Sequence, residues 1–290
     1  MNSAKDIIEC VGSIQPLPDT ALKLMKIMSD PKSTLDEIVG TIKYDQAVTS
    51  EVLKLCNSAY FGLSRKVTSL EDALVCLGTA KVLQMVMSVH TNNMLAQEQQ
   101  GYGLDPGILW KHSVAVALAS SQFAQKLKLP DSNLAFTAGL LHDIGKVILN
   151  EHVAEEFVEI VRLVTDEHLA FVEAERRVLG FSHEEVGAMM AEKWKLPDPI
   201  VRCIRYHHAP SDLEPHDPLV DAIYLANCVC LLFGIGLGED GLCSRADATV
   251  LERYKLRHAD LEIIGAQVVV ELQRVQAMFG ESSSAEQAES

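Results

Sequence analysis

The segment Ala138-Gly139-Leu140-Leu141-His142-Asp143-Ile144-Gly145-Lys146-Val147-Ile148-Leu149 places an imidazole, a carboxylate and an ammonium inside an otherwise apolar run. Read as a helix, it turns adjacent side chains about 100° apart and brings positions four apart onto one face, so His142, Asp143 and Lys146 can converge. Burying such groups is costly unless each finds a partner. A divalent metal is one such partner, since neutral imidazole and carboxylate both ligate it; a buried polar network without metal is the other. Five of the ten histidines, His112, His142, His183, His207 and His208, fall at helix starts, helix ends or inside apolar runs, which a solvated surface does not produce. Singly, each reads as an ordinary hydrogen-bonded core histidine. As a group they are better explained by a shared site. His90, His152, His168, His216 and His258 stand in polar or unremarkable contexts and are assigned no role.

The elements that must position these residues read as helices throughout. Apolar positions recur with helical period, and no Asn-Gly or Asp-Gly turn lies between β-branched runs, so the fold class is all α. A helix with Ala21, Leu22, Leu24, Met25 and Met28 on one face should close at Asp30-Pro31. Thr34 with Glu37, Ser69 with Asp72 and Ser182 with Glu185 are capping-box patterns, each opening a helix. The last of these starts at His183. The Ser69 helix runs on to Val89, with Gly78 as a close contact or break. Asn57-Ser58-Ala59-Tyr60-Phe61-Gly62 reads as a helix end tied down by side-chain hydrogen bonds and an aromatic plug. Two helices between Val153 and Leu179 carry glutamate and arginine on their outer faces, and Asp198 with Pro199 restarts the chain after Leu196-Pro197. The stretch from Gln97 to Gly107 is the best boundary. The division is therefore an N-terminal lobe over residues 1–97, a second helical lobe over 105–280, and a Ser/Glu/Ala tail over 281–290 that reads as disordered. Gly234 to Gly241 reads as a flexible loop.

Composition limits the function. The chain of 290 residues is 48% hydrophobic, enough for a substantial core. With 25 basic against 40 acidic residues its net charge is −15, which opposes phosphate backbones and anionic membranes; no nucleic acid and no membrane partner is expected. Met1 to Asp6 leads into no apolar run of signal-peptide type, and Leu219 to Phe233, interrupted by Asp221 and Asn227, is too short to span a bilayer. The seven cysteines are odd in number and scattered, which fits reduced thiols and a cytoplasmic setting.

From about Ile14 to Pro210 the chain resembles an HDOD domain, the regulatory relative of the HD-type metal phosphohydrolases. The marks are Leu17-Pro18, Asp45, Asn57 to Phe61, Ala73-Leu74, Leu77-Gly78, Gly139 to Lys146, His183 with Gly187, Trp194 to Pro197, and His207-His208. The resemblance implies a two-lobed helical domain acting in bacterial signal transduction. Carried over from the phosphohydrolases, the metal ligands would be His112, His142, Asp143, His183, His207 and His208. Where those enzymes end the set with aspartate in an Ala-Asp dipeptide, this chain has Ala226-Asn227. Asn227 is a neutral, weaker ligand, and Asp221 lies roughly 120° off that face. A position served by Asp143, His183, His207 and His208 stays complete. Nitrogen-rich ligation suits iron, manganese, zinc or nickel and argues against calcium or magnesium. Two functions follow: a signalling module acting on a protein partner or a small anionic, nucleotide-like ligand, or a metal-dependent phosphohydrolase of a nucleotide or cyclic dinucleotide. In the second, Asp143 and Lys146 would be catalytic. Val147-Ile148-Leu149-Asn150 after Lys146 lacks the Gly-Tyr-Pro of cyclic-dinucleotide phosphodiesterases and favours the first.

Overall fold

The computed structural model describes residues 17–28, 33–58, 60–63, 65–150, 153–236 and 248–288, and among them the chain is helix and turn without a β-strand. The expected helix end at Asp30-Pro31, Ala59, His152, Met1 to Asp6 and the loop beyond Gly236 lie outside the described residues.

The first lobe comprises α1 (Asp19–Met28), α2 (Leu35–Ile42), α3 (Gln46–Cys56), α4 (Leu70–Leu77) and α5 (Thr79–Leu95). Two of its helix starts, those of α2 and α4, are capped by hydroxyls. Thr34 and Glu37 form a complete capping box, whereas Ser69 accepts from the Asp72 amide without a reciprocal bond and Asp72 turns to Arg65 and Thr68. Gly78, at φ 80°, breaks the expected long helix into α4 and α5. Asn57 does tie down its turn: its amide donates to the Leu53 and Val67 carbonyls and accepts from the Val67 amide.

The second lobe comprises α6 (Ile108–Lys126), α7 (Ser132–Leu141), α8 (Ile144–Leu149), α9 (Phe157–Asp166), α10 (Phe171–Leu179), α11 (His183–Lys193), α12 (Asp198–Tyr206), α13 (Pro218–Leu232), α14 (Ala248–Arg253) and α15 (His258–Ala288). Helix α12 begins one residue earlier than the Asp198 cap implied, with Pro197 as its N-cap. Helix α15 continues past Glu281 into the segment read from sequence as a disordered tail. None of the described helices is long and apolar enough to cross a membrane.

Helix α6 is the hub, packed on α7, α13 and α15. Its contact with α7 is close because a Cβ on Gly139 would stand 2.9 Å from Ala117 Cα. Helices α8 and α11 approach backbone to backbone at Gly145 and Gly187, where a Cβ on Gly145 would collide with the His183 carbonyl. That approach sets Asp143 beside His183. The stretch between α5 and α6 is a packed turn: Gln99 and Leu104 exchange backbone hydrogen bonds at 2.9 and 3.1 Å, and Gly101 and Tyr102 are buried. The lobes also meet where α5 packs on α7 and where Lys81 Nζ lies 3.2 Å from Glu271 Oε1 of α15.

Candidate metal centre

The apolar run around His142 is two helices rather than one. His142 closes α7, Asp143 departs from helical geometry (φ −97°, ψ 14°), and α8 begins at Ile144. The pair therefore sits at a junction, and Lys146 reaches back three residues to place Nζ 2.7 Å from Asp143 Oδ2. Around Asp143 gather His112 from the start of α6, His183 from the first position of α11, and His207 and His208 from the end of α12. Ser182 fixes the start of α11 by accepting from the Glu185 amide; Glu185 pairs with Arg176 instead of completing a capping box. His112, His142, Asp143, His183 and His207 are all at most 3% exposed.

Two donor groups share Asp143: one with His183, His207 and His208, the other with His112 and His142. Asp143 Oδ1 lies 3.3 Å from His183 Nε2 and 3.4 Å from His207 Nε2, while Oδ2 lies 3.3 Å from His142 Nε2 and 3.8 Å from His112 Nε2. The outer ring nitrogens of His112, His142, His183 and His207 are already engaged. Nδ1 of His142 donates to the Gly139 carbonyl at 2.7 Å, that of His207 to Ile204 at 2.8 Å, and that of His112 to Ile235 at 3.0 Å. His183 Nδ1 donates to Glu175 Oε2 at 2.7 Å. A neutral imidazole with its proton on Nδ1 presents a bare lone pair at Nε2. Nε2 of His142, His183, His207 and His208, together with Asp143 Oδ1, is buried without a hydrogen-bond partner. The bare Nε2 acceptors of His142 and His207 cannot satisfy one another or Asp143, whereas a cation among them can. Two ligands about 2.1 Å from one ion stand roughly 3.0–3.4 Å apart, the separations seen around Asp143 Oδ1. The donor set fits a transition ion.

The electrostatics agree with that donor set at His142, His208 and Asp143, while His183 would have to give up a proton to ligate. Burial, only partly offset by Asp143, pushes His142 down to about 4, and burial together with His207 and His183 holds His208 well below the ordinary histidine value. Burial would raise Asp143, but His142 and Lys146 outweigh it and keep the carboxyl well below the usual carboxylate range. His183 is the exception: burial lowers it, yet Glu175 and Asp143 together raise it to about 10.

Asn227 does reach the centre. Its side-chain oxygen position lies 3.1 Å from His112 Nε2. Since His112 donates from Nδ1, its Nε2 is satisfied when Asn227 turns its amide NH₂ toward it. The amide thus occupies the ligand atom of His112. Asp221 lies elsewhere, accepting from Arg253 and Tyr254 at 2.7 Å each.

Three residues of the site were missed from sequence. Glu175 belongs to a helix whose glutamates and arginines read as an outer face, yet it is fully buried and holds both the ring and the backbone amide of His183. Its signal was present, because it follows Phe171 and precedes Leu179 by four on the apolar stripe of α10. Glu184, also fully buried, accepts from the His208 amide at 3.2 Å and from Arg176 at 3.0 Å. Tyr102 donates to Glu175 Oε1 at 2.8 Å, and no local pattern marked it.

Comparison with known proteins agrees with this architecture. A family model described as HDOD domain matches residues 14–210. The chain is 26% identical over 230 residues to an uncharacterized protein of Treponema pallidum (strain Nichols), covering 77% of this chain and 43% of that one. It is 35% identical over 97 residues to ribonuclease Y of Aquifex aeolicus (strain VF5), covering 33% of this chain and 12% of the enzyme. The chain thus spans less than half the length of these curated relatives. Among solved structures, an HDOD domain protein of unknown function from Geobacter sulfurreducens superposes with a TM-score of 0.73 at 26% identity, covering 95% of this chain and 94% of that one.

Proposed function

The chain belongs to the HDOD family, and from that premise we propose that it is a regulatory module of signal transduction whose buried centre holds one divalent transition metal ion. The observation that carries this reading is the cluster of buried, unpartnered acceptors: four Nε2 atoms and Asp143 Oδ1. Asp143, His183, His207 and His208 would hold the ion, which when bound supplies the positive charge these lone pairs lack. Iron, manganese, zinc and nickel suit the set.

Three features favour regulation over turnover. The second position is weakened, because the Asn227 amide satisfies His112. The remaining carboxylate oxygen of Asp143 carries the Lys146 ammonium. Of the ligands, Asp143, His183 and His207 are buried and only His208 is partly exposed, so a substrate would have a narrow approach to them. Output would then pass through the helices the centre joins, α6, α7, α8, α11 and α12, to a protein partner or a small anionic ligand bound elsewhere on the module.

The second reading is a metal-dependent phosphohydrolase of a nucleotide or cyclic dinucleotide. It is favoured by the intact Asp143-His183-His207-His208 set and by the partial likeness to a ribonuclease. In that reading Asp143 accepts a proton from the attacking water and Lys146 neutralises a phosphate oxygen. A net charge of −15 argues against an RNA substrate.

One experiment separates the readings. Protein purified without chelator is subjected to elemental analysis and then assayed on phosphodiester substrates with iron or manganese restored. About one ion per chain without turnover is expected, and His183→Ala and His207→Ala should empty the site. Metal-free wild type would overturn the centre, and turnover lost in Asp143→Ala would establish the hydrolase.

A further inference from the structure

We infer that the turn joining the two lobes senses the occupancy of the metal centre through a relay running from Tyr102 to Glu175 to His183. This rests on the metal-binding reading above and assigns positioning residues to it.

Tyr102 ends the 3₁₀ turn Gln100–Tyr102 and is 3% exposed. Its ring lies against Phe157 of α9 and Phe171 of α10, each with centroids 6.1 Å away, so the hydroxyl has a fixed direction. That hydroxyl donates to one oxygen of Glu175 at 2.8 Å, and the other oxygen accepts from the His183 ring at 2.7 Å and its amide at 3.1 Å. The carboxylate is fully buried. A carboxylate behind a ligating histidine fixes its tautomer and ring plane and raises its basicity. Among the rings whose Nδ1 partner is seen, His183 alone has a carboxylate there, while His112, His142 and His207 use backbone carbonyls. Tyr102 in turn fixes the plane of Glu175.

The turn is fastened to the centre a second time. The Gly101 amide donates to Asn150 Oδ1 at 2.7 Å, and a Cβ at Gly101 would collide with the Asn150 carbonyl. Asn150 caps α8, the helix that carries Lys146. On its far side the turn leads to the Gly107 amide, which donates to the Ala96 carbonyl at the end of α5. One short segment therefore touches the carboxylate behind a metal ligand, the end of the helix following Asp143, and the C-cap of α5 in the N-terminal lobe. Coupling of this kind is reciprocal: whatever loosens the turn weakens the ion, and the ion tightens the turn.

The test uses zinc as the probe on the full chain, with affinity read by chelator competition and amide hydrogen exchange followed over residues 99–107. Zinc should slow exchange in the turn of wild type. Tyr102→Phe, which deletes only the hydroxyl, should weaken zinc roughly threefold to tenfold, within the range of an ordinary net hydrogen bond because the loss reaches the ion only through Glu175, and should abolish the zinc-dependent protection. Glu175→Gln should weaken zinc roughly tenfold to a hundredfold. Gln100→Ala, an exposed change in the same turn, should leave affinity unaltered. Wild-type affinity in both Tyr102→Phe and Glu175→Gln, or turn exchange indifferent to zinc, would overturn the relay while leaving the centre standing. Should Tyr102→Phe fail to fold, Glu175→Gln and the wild-type exchange data decide. A wild type that binds neither zinc nor iron, manganese or nickel overturns relay and centre together.

Discussion

Replacing Asn227 by aspartate tests the division of the centre into a strong and a weak half. The change is nearly isosteric and acts at an amide 4% exposed, with its oxygen position 3.1 Å from His112 Nε2. In metal-free protein it adds a second carboxylate to a buried site that already holds Asp143, at a cost on the order of 3–5 kcal/mol for an uncompensated buried charge. With metal present the same carboxylate completes the set of His112, His142 and Asp143, and bound metal should rise from about one to about two ions per chain. An ion supplied at a hundredfold excess over its dissociation constant stabilises by about 2.7 kcal/mol. At roughly 2–4 °C per kcal/mol for a domain of this size, the metal-dependent rise in Tm should exceed that of wild type by about 5–11 °C. Elemental analysis and thermal unfolding with and without manganese make the measurement. A folded variant that still binds one ion, or a wild type that binds two, would refute the role given to Asn227.

Other changes probe the frame around the centre. Gly145→Ala drives a methyl into the His183 carbonyl and should cost about 1–3 kcal/mol by overpacking, seen as a lower Tm together with reduced metal content. Lys146→Met strips Asp143 of the ammonium 2.7 Å away; metal-free protein should lose on the order of 3–5 kcal/mol, and denaturant melts should show much of that loss recovered on adding metal. Asp221→Asn removes a charge that accepts from Arg253 and Tyr254; stability should fall by roughly 1.5–3 kcal/mol with metal content unchanged, and lost metal would place Asp221 in the centre after all.

Much of the site was legible because its residues contradict their surroundings. Histidine and aspartate within apolar runs stand out against the helical period, and the serine before His183 marks a helix start wherever the helix packs. What sequence could not show was the break between His142 and Asp143, since Leu141 and Ile144 continue the apolar pattern across a junction that is not helical. Glu175 and Glu184 escaped notice for a related reason. Each has charged neighbours in sequence, and burial is decided by partners eight or more residues away, His183 for the first and His208 for the second. The turn at Tyr102 was read as a boundary from its glutamines and glycines, yet Gly101 is small because the Asn150 backbone lies against it.

The depth of the ligands has a kinetic consequence. With His207 fully enclosed, Asp143 and His183 each 1% exposed and only His208 partly open to solvent, release of an ion held among them should be limited by local opening of the helices rather than by the chelator. Removal by chelator should then proceed at a rate independent of chelator concentration. On such a timescale the bound ion preserves the conditions under which the chain folded, a memory of past supply rather than a gauge of the present one.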